Sequence, residues 1–143
     1  MVNRKELEVA LGYDYWIKED YKLIMKLEGQ NAVVTGGCSG LGLATVKLLV
    51  SKGVHVAIMD LDAKQGKTIV EELGDEKVCF LEVDITRDDE VREGVEAAVN
   101  KFGTVRIFAN CAGLVHSETT ATDSKIHSST AFRKIMNMNL LGT

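Results

Sequence analysis

The chain has 143 residues, 45% hydrophobic and 27% charged, with a formal net charge of −4. This is the composition of one ordinary globular domain, long enough to bury a core. It argues against nucleic-acid and membrane-surface roles, which leave a basic patch, and no apolar run approaches the roughly 20 residues of a membrane-spanning helix.

Residues 1 to 28 differ from the rest. All three tyrosines (Tyr13, Tyr15, Tyr21) and the single Trp16 lie there, among Lys and Glu without a clean period. Leu7 with Leu11, and Ile17 with Tyr21 and Ile24, have helical spacing, so a partly helical extension is expected. No signal-peptide hydrophobic region is present, and Glu6, Glu8 and Asp14 suit a mitochondrial presequence poorly.

From residue 29 the pattern becomes regular and reads as one domain to residue 143. "NAVVTGG" is a short β-branched run ended by glycines, a buried strand. "LGLATVKLLVSKG" has helical spacing, with Gly53 as its stop. "VHVAIMD" is a second strand. "DAKQGKTIVEELG" is a helix that Asp62 caps and Gly74 ends. "KVCFLEVD" is a third strand. "DDEVREGVEAAVNKFG" is the clearest helix: Val91, Val95, Ala98, Val99 and Phe102 form one stripe, and Asp88, Asp89 and Glu90 suit its N-terminus. "VRIFANCAG" is a fourth strand. A long polar loop follows, then a helix, "TAFRKIMNMNLLGT". Strands alternating with helices predict an α/β fold with a doubly wound parallel sheet and right-handed crossovers.

Several residues at the strand ends carry chemistry. Gly36, Gly37, Gly40 and Gly42 lie between the first strand and the first helix. A phosphate needs backbone N–H donors brought close with no Cβ in the way. Gly36 permits the tight turn, Gly40 the close approach and Gly42 the packing of helix on strand. The helix N-terminus adds partial positive charge, and Ser39 a further donor. The spacing T-G-x-x-x-G-x-G is not the G-x-G-x-x-G fingerprint, and no Lys-Ser or Lys-Thr makes it a P-loop. A glycine turn without a ligand is the bland alternative.

Asp60 ends the second strand 18 residues after Gly42. A carboxylate there accepts from both ribose hydroxyls and repels a 2′-phosphate, which favours NAD over NADP. Asp84 and Ile85 end the third strand. The carboxylate suits an adenine amino group and the adjacent N–H the ring, unless Asp84 is only a cap for the next helix. In "NCAG", Asn110 can tie neighbouring strands by its amide, and Ala112 and Gly113 leave room for a cofactor over the sheet edge. Cys111 reads as a small buried hydrophobe. Asn139 shares a helical stripe with Phe132 and Met136, and is either a satisfied core amide or one that faces the cofactor. Asn137 is expected to be exposed, and His116 and His127 to be solvated. Cys38, Cys79 and Cys111, odd in number and without a C-x-x-C pair, are expected as free thiols.

Together, Thr35-Gly36-x-x-x-Gly40-x-Gly42, Asp60, Asp84, Asn110-Cys111-Ala112-Gly113 and Asn139 in "MNLLGT" resemble the short-chain dehydrogenase/reductase family, over about 115 residues. Within it they are most similar to the type-2 3-hydroxyacyl-CoA dehydrogenases. The resemblance implies a Rossmann-like NAD-binding half-domain over 29–143, truncated after about four strands, with 1–28 as an extension. It implies Gly36, Ser39, Gly40, Leu41, Gly42, Asp60, Asp84, Ile85, Asn110, Ala112 and Gly113 as cofactor-binding residues and Asn139 as a catalytic one. It also implies NAD-dependent oxidation of a secondary alcohol, a small-molecule substrate such as 3-hydroxyacyl-CoA, and a homo-oligomer. Location would be mitochondrial, or else cytoplasmic.

The family's catalytic Ser and Tyr-x-x-x-Lys find no match. No Tyr follows Tyr21, and none of the three tyrosines has a Lys four residues on. The resemblance therefore implies that the 143 residues alone are inactive. The alternative is a non-catalytic NAD-binding or protein-interaction module, associating through an uncovered fourth-strand edge.

Overall fold

The computed structural model of the chain describes residues 26–117, 119–121 and 126–143. The aromatic-rich stretch before residue 26 lies outside them. So does the helical spacing expected there.

The elements alternate as the sequence predicts. Strand β1 (Asn31–Thr35) leads to helix α1 (Gly40–Ser51), β2 (His55–Asp60) to α2 (Ala63–Leu73), and β3 (Val78–Glu82) to α3 (Asp88–Phe102). Strand β4 (Val105–Asn110) is followed after a loop by α4 (Ser129–Met136). The four strands form one parallel sheet in the order β3-β2-β1-β4. Val33 lies between Ala57 of β2 and Phe108 of β4.

Helices cover both faces because the central strands are apolar on both. On one face Ala32, Val34, Val56 and Ile58 pack with Val46 and Leu49 of α1 and Ile69 of α2. On the other Val33, Ala57 and Met59 pack with Ala98 of α3, flanked by Val91, Val95 and Phe102. Every residue of β1 is buried. Each fully buried Val or Ile contributes roughly 1.5–3 kcal/mol over leaving it exposed.

Helix ends form where the local chemistry provides for them. Asp62 accepts from the Gln65 N–H at 2.9 Å and caps α2, and Gly74 ends that helix at φ 93°. Gly53 follows α1 at φ 78°, a backbone conformation costly for other residues. Two glycines serve packing instead. A Cβ at Gly94 of α3 would meet Val83 and Met59, and one at Gly66 of α2 would strike the Phe80 ring, so both helices approach the sheet closely.

The fourth strand differs from β1 and β2, and the last helix departs from expectation. β4 alternates: Val105, Ile107 and Ala109 are half-buried while Arg106, Phe108 and Asn110 are exposed. Among the described residues β4 is an outer strand, so its second face and its second edge lack a covering layer. The stripe expected on α3 is narrower, because Val99 sits at its flank and is 41% exposed. The helix expected to run through to Thr143 gives way after Met136 to a π-helical turn, Asn137–Leu141. There the Gly142 N–H reaches back five residues to the Asn137 carbonyl at 2.8 Å. Nor does α4 face a core. It buries no residue, and Phe132 is 56% exposed.

At the opposite end of the sheet from the strand C-termini, Asn31 makes a lock not anticipated from the sequence. Its Nδ2 donates to the carbonyls of Phe102 and Thr104 at 2.6 and 3.1 Å. Its Oδ1 lies 3.2 Å from His55 Nδ1, and the His55 ring stacks on Phe102 with centroids 5.4 Å apart. One buried amide thus joins β1, β2 and the end of α3.

Candidate functional site

A cleft of about 350 Å³ opens at the C-terminal ends of all four strands. In a doubly wound sheet this is where successive connections leave in opposite directions and a crevice must form. Here β1 connects to β2 on one side while β4 lies on the other.

The first wall is the turn from β1 into α1. Gly36 takes φ 64° and Gly40 φ 51°, conformations that favour glycine. A Cβ on Gly36 would lie 2.7 Å from the Ala112 backbone, and one on Gly42 would strike the Gly36 carbonyl, so the loop closes only with glycine at both positions. Ser39 is the N-cap of α1 with an extended backbone, and its side chain makes no cap bond. Among the described residues the first N–H groups of α1 therefore remain orphan donors at the cleft. Thr35 fixes the neighbouring strand end. Its Oγ1 accepts from the N–H groups of Cys111 and Ala112 at 3.2 and 3.3 Å.

Asp60 is held from two sides. Its Oδ2 accepts the Cys38 N–H at 3.0 Å and its Oδ1 the Asp62 N–H at 3.1 Å. Each oxygen keeps a further lone pair, so the carboxylate is oriented without being exhausted. The Cys38 thiol, 2% exposed and beside Asp60 and Asp62, is pushed up to about 12 by burial first and by the two carboxylates second. It is a neutral packing group.

The third wall is the turn after β3. Asp84 Oδ1 accepts from both the N–H and the hydroxyl of Thr86, at 2.9 and 2.7 Å. These bonds, the backbone one foremost, hold the Asp84 carboxyl below the ordinary carboxylate range. Asp84 thus closes its own turn rather than capping α3, whose N-cap is Arg87. Ile85 is 8% exposed and lines the cleft.

The last wall is Cys111 to Leu114. Asn139 reaches it from the π-helical turn: its Oδ1 accepts the Leu114 N–H and its Nδ2 donates to the Leu114 carbonyl, both at 2.8 Å. Both polar ends of the amide are satisfied, as in the bland reading, although the residue is exposed rather than in a core.

Of the twelve residues picked out by sequence, ten line this one cleft: Gly36, Ser39, Gly40, Leu41, Gly42, Asp60, Asp84, Ile85, Ala112 and Gly113. Asn110 does not line it. It is exposed on the outer strand, and the tie expected of its amide is supplied by Thr35. Asn139 stands one layer behind, through Leu114. Cys111, expected as buried, is half-exposed and lines the cleft. Met59, Leu61, Val83, Leu114 and Met138 also line it and were not anticipated. Apolar residues beside glycines and carboxylates give no separate signal in a sequence. The rings of His116 and His127 meet edge-on at 6.0 Å, and His127 meets Phe132 at 6.4 Å. No helix of the described residues is long and apolar enough to cross a membrane.

Comparison with known proteins agrees with this geometry. The family model described as short chain dehydrogenase matches residues 30–143. The chain is 39% identical over 118 residues to 3-hydroxyacyl-CoA dehydrogenase type-2 of Drosophila melanogaster, covering 80% of this chain and 46% of that one. It is 34% identical over 122 residues to the enzyme of that name from Rattus norvegicus, covering 84% and 46%. It is 33% identical over 119 residues to zerumbone synthase of Zingiber zerumbet, covering 82% and 44%. The chain spans a little under half the length of these relatives. With its family model matched from β1 to the last residue and the glycine turn, Asp60, Asp84 and the Ala112-Gly113 edge in one cleft, the chain belongs to the short-chain dehydrogenase family.

Proposed function

We propose that the cleft binds NAD and that the chain is the cofactor-binding part of a dehydrogenase acting on a secondary alcohol, with 3-hydroxyacyl-CoA as the substrate class. The observation that carries this reading is the convergence of the glycine turn, the strand-end residues Asp60, Asp84 and Ile85, and the Ala112-Gly113 edge on one cleft of about 350 Å³. The substrate class rests on the relatives named above.

Residues 29–143 act as the cofactor domain in this reading, and each wall has a task. The orphan N–H groups at the start of α1, brought close by Gly40, donate to the pyrophosphate oxygens. The Asp60 carboxylate, oriented by the Cys38 and Asp62 N–H groups, takes the ribose hydroxyls and repels a 2′-phosphate. Asp84 and Ile85 take the adenine edge. Ala112 and Gly113 let the cofactor pass over β4, and Asn139 is a positioning residue that keeps Leu114, and with it that passage, in place. When bound, NAD supplies the hydride acceptor; the chain's residues bind and orient it.

Calorimetric titration of the chain tests the reading. NAD should bind at least tenfold more tightly than NADP, and equal affinities would remove the role given to Asp60. A second reading, a non-catalytic module that associates with a partner or with its own copies, draws on the outer strand β4, where Phe108 is 49% exposed. Sedimentation of the chain as a monomer at all concentrations would count against it.

A further inference from the structure

The turn after β3 is the part of the cleft that the sheet does not hold. β3 ends at Glu82, and its ladder with β2 ends at the Asp60–Glu82 pair. Four hydrogen bonds fix the turn instead. Three are internal to it: Arg87 N–H donates to the Asp84 carbonyl at 3.0 Å, and Thr86 donates twice to Asp84 Oδ1. The Val83 N–H still reaches β2, donating to the Asp60 carbonyl at 3.2 Å; past it, among the described residues, the fourth bond is the one that fixes the Asp84 backbone from outside the turn. The Asp84 N–H donates to Glu90 Oε2 at 2.8 Å.

Glu90 is the third residue of α3, the position from which a Glu ordinarily reaches back to the N-cap N–H. The N-cap is Arg87, yet Glu90 passes it and takes the amide of Asp84. Its second oxygen is engaged by Arg87 Nε at 2.6 Å, which fixes the carboxylate plane. Glu90 itself does not line the cleft. Between its two neighbours in the turn, Ile85 lines the cleft with an N–H that has no acceptor among the described residues. Asp84 Oδ2 is likewise left over from the turn. The cleft is thus offered one acceptor and one donor from adjacent residues. That is the complement of an adenine edge, which presents an amino donor beside a ring-nitrogen acceptor.

We propose that Glu90 is a positioning residue for adenine: by holding the Asp84 amide it sets the acceptor of Asp84 and the donor of Ile85 at the spacing that distinguishes adenine from other bases. The inference rests on the cofactor reading above and adds a residue that does not touch the cofactor.

The test compares 5′-AMP with inosine 5′-monophosphate, which carries a carbonyl in place of the amino group, on the whole 143-residue chain. The wild-type chain should prefer AMP at least tenfold, because hypoxanthine reverses both groups, turning a carbonyl to the Asp84 carboxylate and a protonated N1 to the Ile85 N–H. Glu90→Ala should bring that preference to within about twofold and speed hydrogen exchange at the Asp84 amide. Glu90→Gln retains an acceptor and should keep both close to wild type. A purely structural role for Glu90 would weaken both nucleotides equally and leave the ratio intact; that result overturns the proposal. So does unchanged exchange at Asp84 in Glu90→Ala. A wild-type chain that binds NAD without preferring AMP defeats this inference alone. A wild-type chain that binds neither NAD nor AMP defeats the cofactor reading, and this one with it.

Discussion

The two sides of the sheet centre are built differently. Toward β2, both strands are buried nearly end to end, and Asp60 at the cleft is fixed by two backbone amides. Toward β4, every second residue is exposed, and the cleft wall is held by the amides that Thr35 receives and by the single side chain of Asn139. The β2 side secures its site by burial. The β4 side secures its site by a few directional bonds at a surface. Energy concentrated in packing cannot be removed one bond at a time, whereas a wall made of two or three polar contacts can.

Variants can break or sharpen that contrast. The largest effect should come from Ile58→Ala in β2, fully buried, which should lower unfolding free energy by about 2–5 kcal/mol in denaturant titration. An Ile58→Ala loss below about 1 kcal/mol would show that the β2 side is not the stable one. Asp60→Ala should come next, weakening NAD by about 1–3 kcal/mol through lost charge-assisted bonds, and lowering the melting temperature less than Ile58→Ala does, since the Cys38 N–H also loses its acceptor. Asn139→Ala should weaken NAD less, by about 1 kcal/mol, and leave the core unmoved. Phe108→Ser should change unfolding free energy by less than about 0.5 kcal/mol, as exposed positions do, while reducing any self-association seen by light scattering.

Thiols report on the same contrast. At pH 8 a maleimide should modify Cys111, half-exposed in the cleft, far faster than buried Cys38, and NAD should protect Cys111. In the folded chain the Cys38 thiol ionises only at about 12, against an ordinary value of 9.0. Its contribution to stability is then whole below pH 9 and is lost as pH rises from 9 toward 12, because the unfolded chain releases its proton first. Burial pushes Cys79 up as well, so it adds in the same direction. Cys38→Ala should flatten the alkaline fall in melting temperature, and an unchanged slope would contradict the burial of that thiol.

What could be read in advance followed from chemistry local in sequence. The alternation of strands and helices, the cap at Asp62, the stops at Gly53 and Gly74, and the gathering of glycines and carboxylates at strand ends all depend on neighbours a few positions apart. What escaped depends on contacts that sequence spacing does not encode. The apolar stripe through Phe132 has the period of a core-facing helix, but a period says nothing of whether a partner layer is present. Glu90 looks like one more acidic residue in a favourable first turn, and only the fold shows that it skips the N-cap for Asp84. An amide at Asn110 suits a tie between strands, yet strand alternation turns it outward and Thr35 makes the tie. Gly94 and Gly66 sit inside helices, where a glycine reads as a weakness until the close approach to Met59 and Phe80 is seen.

The paired hydrogen bonds between Asn139 and the Leu114 backbone have the donor and acceptor pattern of one rung of a β-ladder, with a side-chain amide standing in for a peptide group. A surrogate rung pins the chain at one residue without demanding that a strand continue past it. The next residue, Val115, lies outside the sheet and is 98% exposed. Insertions or exchanges after Val115 should pass without shifting Ala112 and Gly113, so the sequence that follows can change length and chemistry while the cleft keeps its shape.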